Sequence, residues 1–176
     1  MEVGVEFHER TFDFVEIGTS DFDTEVEKAN DNTVGLSVEP LVDYYDRLPS
    51  RARCIKENAA ISDTAGTLPM YYVPPDIVKK LDLPLWITGS NALGEPHKLV
   101  LGELKKRGLT ENLFETIQVP VLTFGQLIQK HKVEGIKYLK IDTEGHDPII
   151  LESMISYCDE HPQVYPIRIQ FESCLL

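Results

Sequence analysis

Short β-rich segments alternate with helix-patterned segments along most of this chain, and this alternation limits the fold more than any other feature. It predicts βαβ units and therefore an α/β fold, in which a mainly parallel sheet is flanked by helices. The predicted strands are 11–17, 33–38, 53–61, 68–73, 114–122, 137–141 and 167–171, and the predicted helices are 22–30, 41–47, 76–81, 98–107, 124–131 and 148–154.

The length of 176 residues fits a single domain, residues 1–176, with enough chain to bury a core. The segment from about 74 to 115 is the least regular, and residues 84–97 within it are rich in Gly, Pro, Asn and Ser. Such a composition is typical of loops. We therefore expect this segment to be an insertion that acts as a lid or as a substrate wall.

Charge and composition exclude several classes of protein. The formal net charge is −12, so the phosphate backbone of a nucleic acid would be repelled. The three cysteines form no Cys-x-x-Cys pair, and Asp21-x-Asp23-x-Glu25 lacks the glycine of a calcium loop, so no metal site is predicted. The sequence has neither a leader-like N-terminus nor an apolar run of the ~20 residues that span a membrane. We predict a cytoplasmic protein without nucleic-acid or membrane partners.

Polar residues follow the predicted strands, and in a doubly wound sheet these strand ends form the ligand-binding edge. Gly18 follows the first strand, where it allows a tight turn and a close approach to a ligand. Glu39 comes 21 residues later, where an acidic side chain can bind two ribose hydroxyls. Together the two residues predict a bound nucleoside, whereas each alone is more simply a turn or a solvated strand end.

The loop after Gly18 distinguishes between nucleosides. It lacks the second and third glycines of Gly-x-Gly-x-x-Gly and carries Asp21 and Asp23 where a pyrophosphate would lie. S-adenosylmethionine has no phosphate and carries a positive sulfonium, so an acidic loop favours it over NAD. Three alternatives stay open: a non-catalytic module that binds S-adenosylmethionine, an NAD or nucleotide-sugar enzyme, and a protein-interaction domain.

Asp142, Glu144 and His146 are the candidate catalytic residues, in that order, because they follow the strand 137–141 at the same edge. A carboxylate or an imidazole at this edge could accept a proton from a bound substrate. The alternative is that Asp142 only orients the cofactor while Glu144 caps the following helix. Candidates for the wall of the acceptor pocket are Trp86, Asn91 and His97.

Several sequence blocks in order resemble the FkbM family of methyltransferases, from about residue 12 to residue 172. The most specific is Leu139-Lys140-Ile141-Asp142-Thr143-Glu144-Gly145, which is close to the family's Lys-Ile-Asp-x-Glu-Gly, and the others are 14–20, 38–40, 58–66 and 121–124. The resemblance implies a Rossmann-like class I methyltransferase fold, S-adenosylmethionine as cofactor, and O-methylation of a sugar or natural-product hydroxyl. The acceptor is then a small molecule or glycan. The cofactor-binding residues that follow are Glu16, Gly18, Thr19, Ser20, Glu39, Ala60 and Asp142.

The chain departs from the family pattern in three places. Its first loop lacks the extra glycine or Ala-Asn of many relatives, and Phe124-Gly125 replaces a frequent Leu-Asp pair. No antiparallel hairpin follows 167–171 before Leu176. We therefore expect a sheet without the C-terminal hairpin, from a short form or a truncated methyltransferase domain, and self-association of the chain as a homo-oligomer through the open sheet edge.

Overall fold

The computed structural model describes residues 11–20 and 23–172, in which strands alternate with helices and the α/β prediction is confirmed. The strands are β1 (Thr11–Phe12), β2 (Phe14–Ile17), β3 (Gly35–Val38), β4 (Cys54–Glu57), β5 (Ala60–Ser62), β6 (Gly66–Tyr72), β7 (Ala92–Leu93), β8 (Glu115–Thr123), β9 (Gly135–Ile136), β10 (Tyr138–Ile141) and β11 (Arg168–Phe171). The helices are α1 (Glu25–Lys28), α2 (Val42–Arg47), α3 (Pro75–Lys80), α4 (Lys98–Lys106), α5 (Phe124–His131) and α6 (Asp147–Glu160), and short 3-10 helices lie at Leu85–Thr88, Glu111–Leu113 and Pro162–Val164.

Five strands form a parallel sheet in the order β11-β10-β2-β3-β4. The chain starts near the centre with β2, continues outward through β3 and β4, and later returns to β10 and β11 on the other side. The direction of winding therefore reverses between β2 and β10. In an open α/β sheet, ligands bind at the carboxyl ends of the strands beside such a reversal. Gly18 and Asp142 directly follow these two strands.

Both faces of the three central strands, β2, β3 and β10, are largely buried, as is usual for parallel strands covered by helices. On one face, Ile17, Leu36 and Leu139 belong to the same apolar core as Phe124 of α5 and Ile150 of α6. Because successive side chains point to opposite faces, the residues between these apolar positions lie on the other face. The buried polar side chains on that face are Glu16, Ser37 and Lys140.

A second sheet, in the order β5-β8-β6-β7, lies outside the parallel sheet. β5 is parallel to β8, whereas β6 is antiparallel to both β8 and β7. The chain between β6 and β8 corresponds closely to the predicted insertion of about 74–115, but departure from the parallel sheet begins earlier, at β5. This part has an apolar cluster of its own, formed by Val73, Val78, Leu83, Ile87, Val100 and Leu104.

The predicted strand 53–61 is in fact two strands that belong to different sheets. The chain turns at Asn58, whose side-chain amide donates hydrogen bonds of 2.9 Å to the carbonyl of Glu39 and 3.0 Å to that of Pro40. These bonds hold the turn against the end of β3. The apolar pattern of the segment could not reveal the break, because both strands are largely shielded from solvent.

Two helices differ in length from their predictions. α1 is shorter than the predicted 22–30, because it starts after its N-cap residue Thr24, which forms a capping box with Glu27. α6 extends beyond Met154 to Glu160, because a buried residue recurs every four positions as far as Cys158.

Within residues 11–20 and 23–172, no helix has both the length and the apolar character that a membrane span requires.

β11 forms one edge of the parallel sheet, and the described part of the chain places no strand beyond it. Its side chains are exposed on both faces, with 37% of Ile169 and 49% of Phe171 accessible to solvent. The apolar surface of β11 therefore has no cover from residues 11–20 and 23–172.

Candidate functional site

Gly18 occupies the turn after β2 and packs against the loop after β10. Its φ is +78°, and a Cβ at this position would lie 2.0 Å from the carbonyl oxygen of Asp142. Both the backbone angle and the lack of space therefore require glycine. The two loops are also tied by the strand ladder, in which the Asp142 amide donates to the carbonyl of Ile17 at 2.9 Å.

Glu39 is buried at the end of β3 and holds the loop after Gly18. Its Oε2 accepts from the amide of Ser20 at 2.9 Å and from the amide and hydroxyl of Thr19 at 3.2 and 3.0 Å. Its Oε1 accepts from the amide of Leu41 at 2.9 Å. Burial raises the pKa of Glu39, and these hydrogen bonds act in the opposite direction by stabilising the carboxylate.

These loops surround a first cavity of about 40 Å³ at the carboxyl edge of the parallel sheet. The second sheet and the insertion form its other side, through Met70, Gly89, Asn91 and Leu93. The predicted site residues that line it are Gly18, Ser20, Glu39, Ala60, Asp142, Glu144 and His146. The remaining two predicted residues, Glu16 and Thr19, are not among its lining residues.

Glu16 lies beneath the loop, on the face of the sheet opposite the main apolar core. It is fully buried and accepts hydrogen bonds from the amide of Glu25 at 2.9 Å and from the hydroxyl of Ser37 at 3.3 Å. Lys140 Nζ lies 3.4 Å from its Oε1 and donates to the carbonyl of Asp23 at 3.0 Å. Burial raises the pKa of Glu16, while Lys140 counteracts this rise. Glu16 therefore supports the loop from below.

Three carboxylates, those of Asp142, Glu144 and Glu172, each bring an oxygen within 4.8 Å of the others. Burial, and then repulsion from Glu172 and Asp142, raises the pKa of Glu144 to about 7. The pKa of Asp142 is also raised, chiefly by burial. A hard cation favours such oxygen ligands, but no second feature of the described residues indicates one. We regard the group as concentrated negative charge.

Glu144 also contacts the insertion, through His97. The distance from His97 Nε2 to Glu144 Oε2 is 3.6 Å. Burial lowers the pKa of His97, so the ring is neutral at neutral pH and the contact is not an ion pair. Glu144 has a φ of 54° and Ser20 one of 45°, in the left-handed region that non-glycine residues rarely adopt. Such strain is common at functional sites.

A second cavity, of about 360 Å³, adjoins the first and lies between the insertion and the loop after β10. The insertion lines it with residues 92–93 and 95–99, and the loop lines it with residues 143–146. Of the three residues predicted for the acceptor pocket, His97 lines this cavity and Asn91 lines the first one. Trp86 is 46% exposed and lines neither.

Asp147 was missed by the sequence reasoning, although it organises the loop after β10. It is fully buried and accepts from both the amide and the hydroxyl of Thr143 and, at 2.9 Å, from the amide of Glu172. It thereby connects the ends of β10 and β11. Its position at the start of a helix that has Pro148 in its first turn was the available signal.

The sequence predictions gave no role to Ser62 or Asp63, but the structure joins them to His146. His146 Nε2 lies 3.0 Å from Ser62 Oγ, and Ser62 Oγ lies 3.1 Å from Asp63 Oδ1. Ser62 is buried at the end of β5, and His146 is the N-cap residue of α6. The contact spans 84 positions of sequence, so no local pattern could predict it.

The strand order, the glycine turn after β2 and the acidic residue after β3 together are typical of a Rossmann-like fold that binds a nucleoside. A family model described as the methyltransferase FkbM domain matches residues 4–174, and the chain belongs to this family. The resemblance inferred from the sequence is thus confirmed, and the protein is a methyltransferase by family. The chain has no significant match among curated proteins or among solved structures.

Proposed function

We propose that this protein is an S-adenosylmethionine-dependent methyltransferase that methylates a hydroxyl on a small molecule or glycan. The observation that carries the proposal is the contact between Glu39 and the loop after Gly18. The Glu39 carboxylate accepts hydrogen bonds from the amides of Thr19 and Ser20, which are the groups that a dinucleotide phosphate would need. The loop therefore suits a nucleoside donor without phosphate.

The remaining features of the first cavity fit such a donor. Glu39 Oε1 accepts a hydrogen bond only from Leu41 among the described residues, so it has capacity for a ribose hydroxyl. Pro40, Ala60 and Met70 offer apolar surface for a purine ring. S-adenosylmethionine, when bound, supplies a methyl group on a positive sulfonium, and the nearby Asp142 carboxylate would attract that charge.

The sizes of the two cavities suggest different roles. Pockets that enclose drug-sized ligands usually measure about 300–1,000 Å³, whereas the first cavity measures about 40 Å³. We infer that the insertion, which lines it through Gly89, Asn91 and Leu93, moves away when the donor binds and thus acts as a lid. The second cavity, at about 360 Å³, has room for an acceptor beside Glu144 and His146.

Holding donor and acceptor together is the main task of such a site. Correct orientation alone can supply roughly 7–11 kcal/mol of the barrier reduction. The groups that border the acceptor cavity or the strand end beside it and could receive a proton include the three predicted candidates, Asp142, Glu144 and His146.

The proposal is tested by calorimetry and by a transfer assay. We expect S-adenosylhomocysteine to bind more tightly than NAD, and the reverse order would overturn the assignment of the donor. Methyl-labelled S-adenosylmethionine would then be incubated with hydroxylated natural products and glycans. Transfer of label to a hydroxyl supports the enzyme, whereas donor binding without transfer to any acceptor favours the non-catalytic binding module.

A further inference from the structure

His146, Ser62 and Asp63 form a continuous hydrogen-bonded chain that ends at the two cavities. Asp63 Oδ1 is 3.1 Å from Ser62 Oγ, which is 3.0 Å from His146 Nε2. Only 3% of Ser62 is accessible to solvent, whereas Asp63 is exposed. His146 lines both the first and the second cavity. The chain of contacts therefore connects a surface carboxylate to a ring in the candidate site.

The chemistry of the three groups fixes the position of the ring proton. A carboxylate can only accept, so the single hydroxyl proton of Ser62 is donated to Asp63. Ser62 Oγ is then an acceptor toward His146, and Nε2 must carry the proton that fills this contact. In a neutral imidazole, the other nitrogen then has a free lone pair. The described residues provide no hydrogen bond to His146 Nδ1.

We propose that His146 Nδ1 accepts the proton of the acceptor hydroxyl, and that Ser62 and Asp63 are positioning residues that keep His146 in this tautomer. The inference rests on the proposed function and names the base for it. As the acceptor oxygen bonds to the methyl carbon, the carbon–sulfur bond breaks and its electron pair stays on sulfur. The hydroxyl proton moves to Nδ1, and the resulting imidazolium later loses a proton to solvent.

The surroundings of His146 keep the ring neutral at neutral pH, as a base must be. Burial is the largest influence and lowers its pKa, while the carboxylates of Asp63 and Asp147 raise it and would stabilise the imidazolium that forms. Glu144, which lines both cavities, has its pKa raised to about 7 and is therefore partly protonated at neutral pH. Asp142 has no hydrogen-bonding partner that orients its side chain among the described residues.

The tautomer can be measured without any turnover, by ¹⁵N NMR of the histidine rings. We expect His146 to carry its proton on Nε2. His161 serves as an internal reference of the opposite kind, because its Nδ1 must donate to the carbonyl of Tyr157, 3.0 Å away. Ser62→Ala should abolish the preference of His146 for the tautomer protonated on Nε2. The tautomer of His161 should stay the same. A proton on Nδ1 of His146 in the wild type would overturn the proposal.

Asp63→Asn is the second variant, chosen because the Asp63 side chain is exposed, so its replacement should leave the fold intact. An asparagine can donate to Ser62 through its amide, which lets the hydroxyl turn toward His146. The fraction of Nδ1–H tautomer should therefore rise. An unchanged tautomer in both Asp63→Asn and Ser62→Ala would show that the two residues do not position the ring.

Activity then separates a base from a structural residue. His146→Gln should lower kcat by roughly 10²–10⁴-fold, and Ser62→Ala should lower kcat while the Kd of S-adenosylhomocysteine stays the same. Full activity of His146→Gln would remove it from the reaction. Absence of transfer in the wild type would instead overturn the enzyme assignment and with it the role as a base, while the NMR result would still decide the positioning by Ser62 and Asp63.

Discussion

The α-carbon of Gly18 faces the carbonyl oxygen of Asp142 so closely that a Cβ on residue 18 would lie 2.0 Å from that oxygen. The two loops that border the first cavity therefore meet backbone to backbone. Any side chain at position 18 must push them apart, and the φ of +78° adds strain.

We expect Gly18→Ala to lower the free energy of unfolding by more than about 2 kcal/mol, from left-handed strain of roughly 1–2 kcal/mol plus the steric clash. Binding of S-adenosylhomocysteine should weaken at least tenfold. Thermal unfolding and calorimetry measure the two effects. Gly102→Ala in α4 is the matched control, because a Cβ there meets nothing within 4 Å. It should be neutral or stabilising, since Ala is favoured over Gly in helices. Equal effects of Gly18→Ala and Gly102→Ala on stability and binding would contradict the close approach of Gly18 to the Asp142 carbonyl.

Glu39→Gln should weaken donor binding. Both carboxylate oxygens of Glu39 accept hydrogen bonds, one from Ser20 and the other from Leu41, whereas Gln has only one acceptor oxygen. The loop and a ribose hydroxyl therefore lose charge-assisted bonds worth about 1.5–3 kcal/mol each. We expect the Kd of S-adenosylhomocysteine, measured by calorimetry, to rise by one to two orders of magnitude.

Glu57→Gln is the control for this variant. Glu57 ends the neighbouring strand, but it binds Lys130 and His131 and does not line the first cavity. Its replacement should leave the Kd of S-adenosylhomocysteine unchanged. A Kd that is also unchanged by Glu39→Gln would leave Glu39 only a structural role.

Glu144 should make stability fall as the pH rises. Its pKa of about 7 in the folded protein exceeds the ordinary value of 4.5, so between these values the folded state binds more protons than the unfolded state. Stability from this group is therefore complete below pH 4.5 and is lost as the pH rises through 7. Glu144→Gln should raise the melting temperature at about pH 8 and change it little near the unfolded-state pKa. The same substitution at the exposed Glu152 of α6 should show no such difference. A change in melting temperature on Glu144→Gln that does not vary with pH would contradict the raised pKa of Glu144.

Lys140→Met should strongly destabilise the protein, because it leaves the buried carboxylate of Glu16 without its cation. Breaking a buried pair in this way typically costs about 3–5 kcal/mol. The double variant Glu16→Gln with Lys140→Met removes both charges. We expect it to recover much of the lost free energy of unfolding, as measured by urea denaturation. Additive effects of the two single substitutions would show that the pair is not coupled.

The exposed edge strand β11 should promote self-association. Within residues 11–20 and 23–172 its outer backbone edge has no partner strand, and Ile169 and Phe171 are exposed, so the edge invites pairing with another copy. Sedimentation velocity of the 176-residue chain should detect species larger than a monomer as the concentration rises. Ile169→Lys should suppress them, whereas Val42→Lys, which changes a similarly exposed residue of α2, should not. A monomer at every concentration would count against an interface at this edge.

Features that depend on neighbouring residues could be read from the sequence. Gly18 and Asp142 follow apolar strands, and the end of a strand is defined by a few adjacent residues. The switch of sheets at Asn58 could not be predicted, because it depends on hydrogen bonds to the carbonyls of Glu39 and Pro40, 19 and 18 positions away. The contact of His146 with Ser62 depends on how two sheets pack, and single-sequence periodicity carries no information on such packing.

The insertion begins after β6 and ends before β8. These two strands are hydrogen-bonded to each other from Gly66↔Val121 to Tyr72↔Glu115. Its two attachment points are therefore side by side. Gly18 and Glu39, which line the first cavity, follow β2 and β3 and lie outside the insertion. Residues between Tyr72 and Glu115 can then be lengthened, shortened or exchanged while the parallel sheet, Gly18 and Glu39 keep their positions. Under the proposed function, the insertion also supplies one wall of the second cavity, so acceptor preference can change by exchange of this one segment.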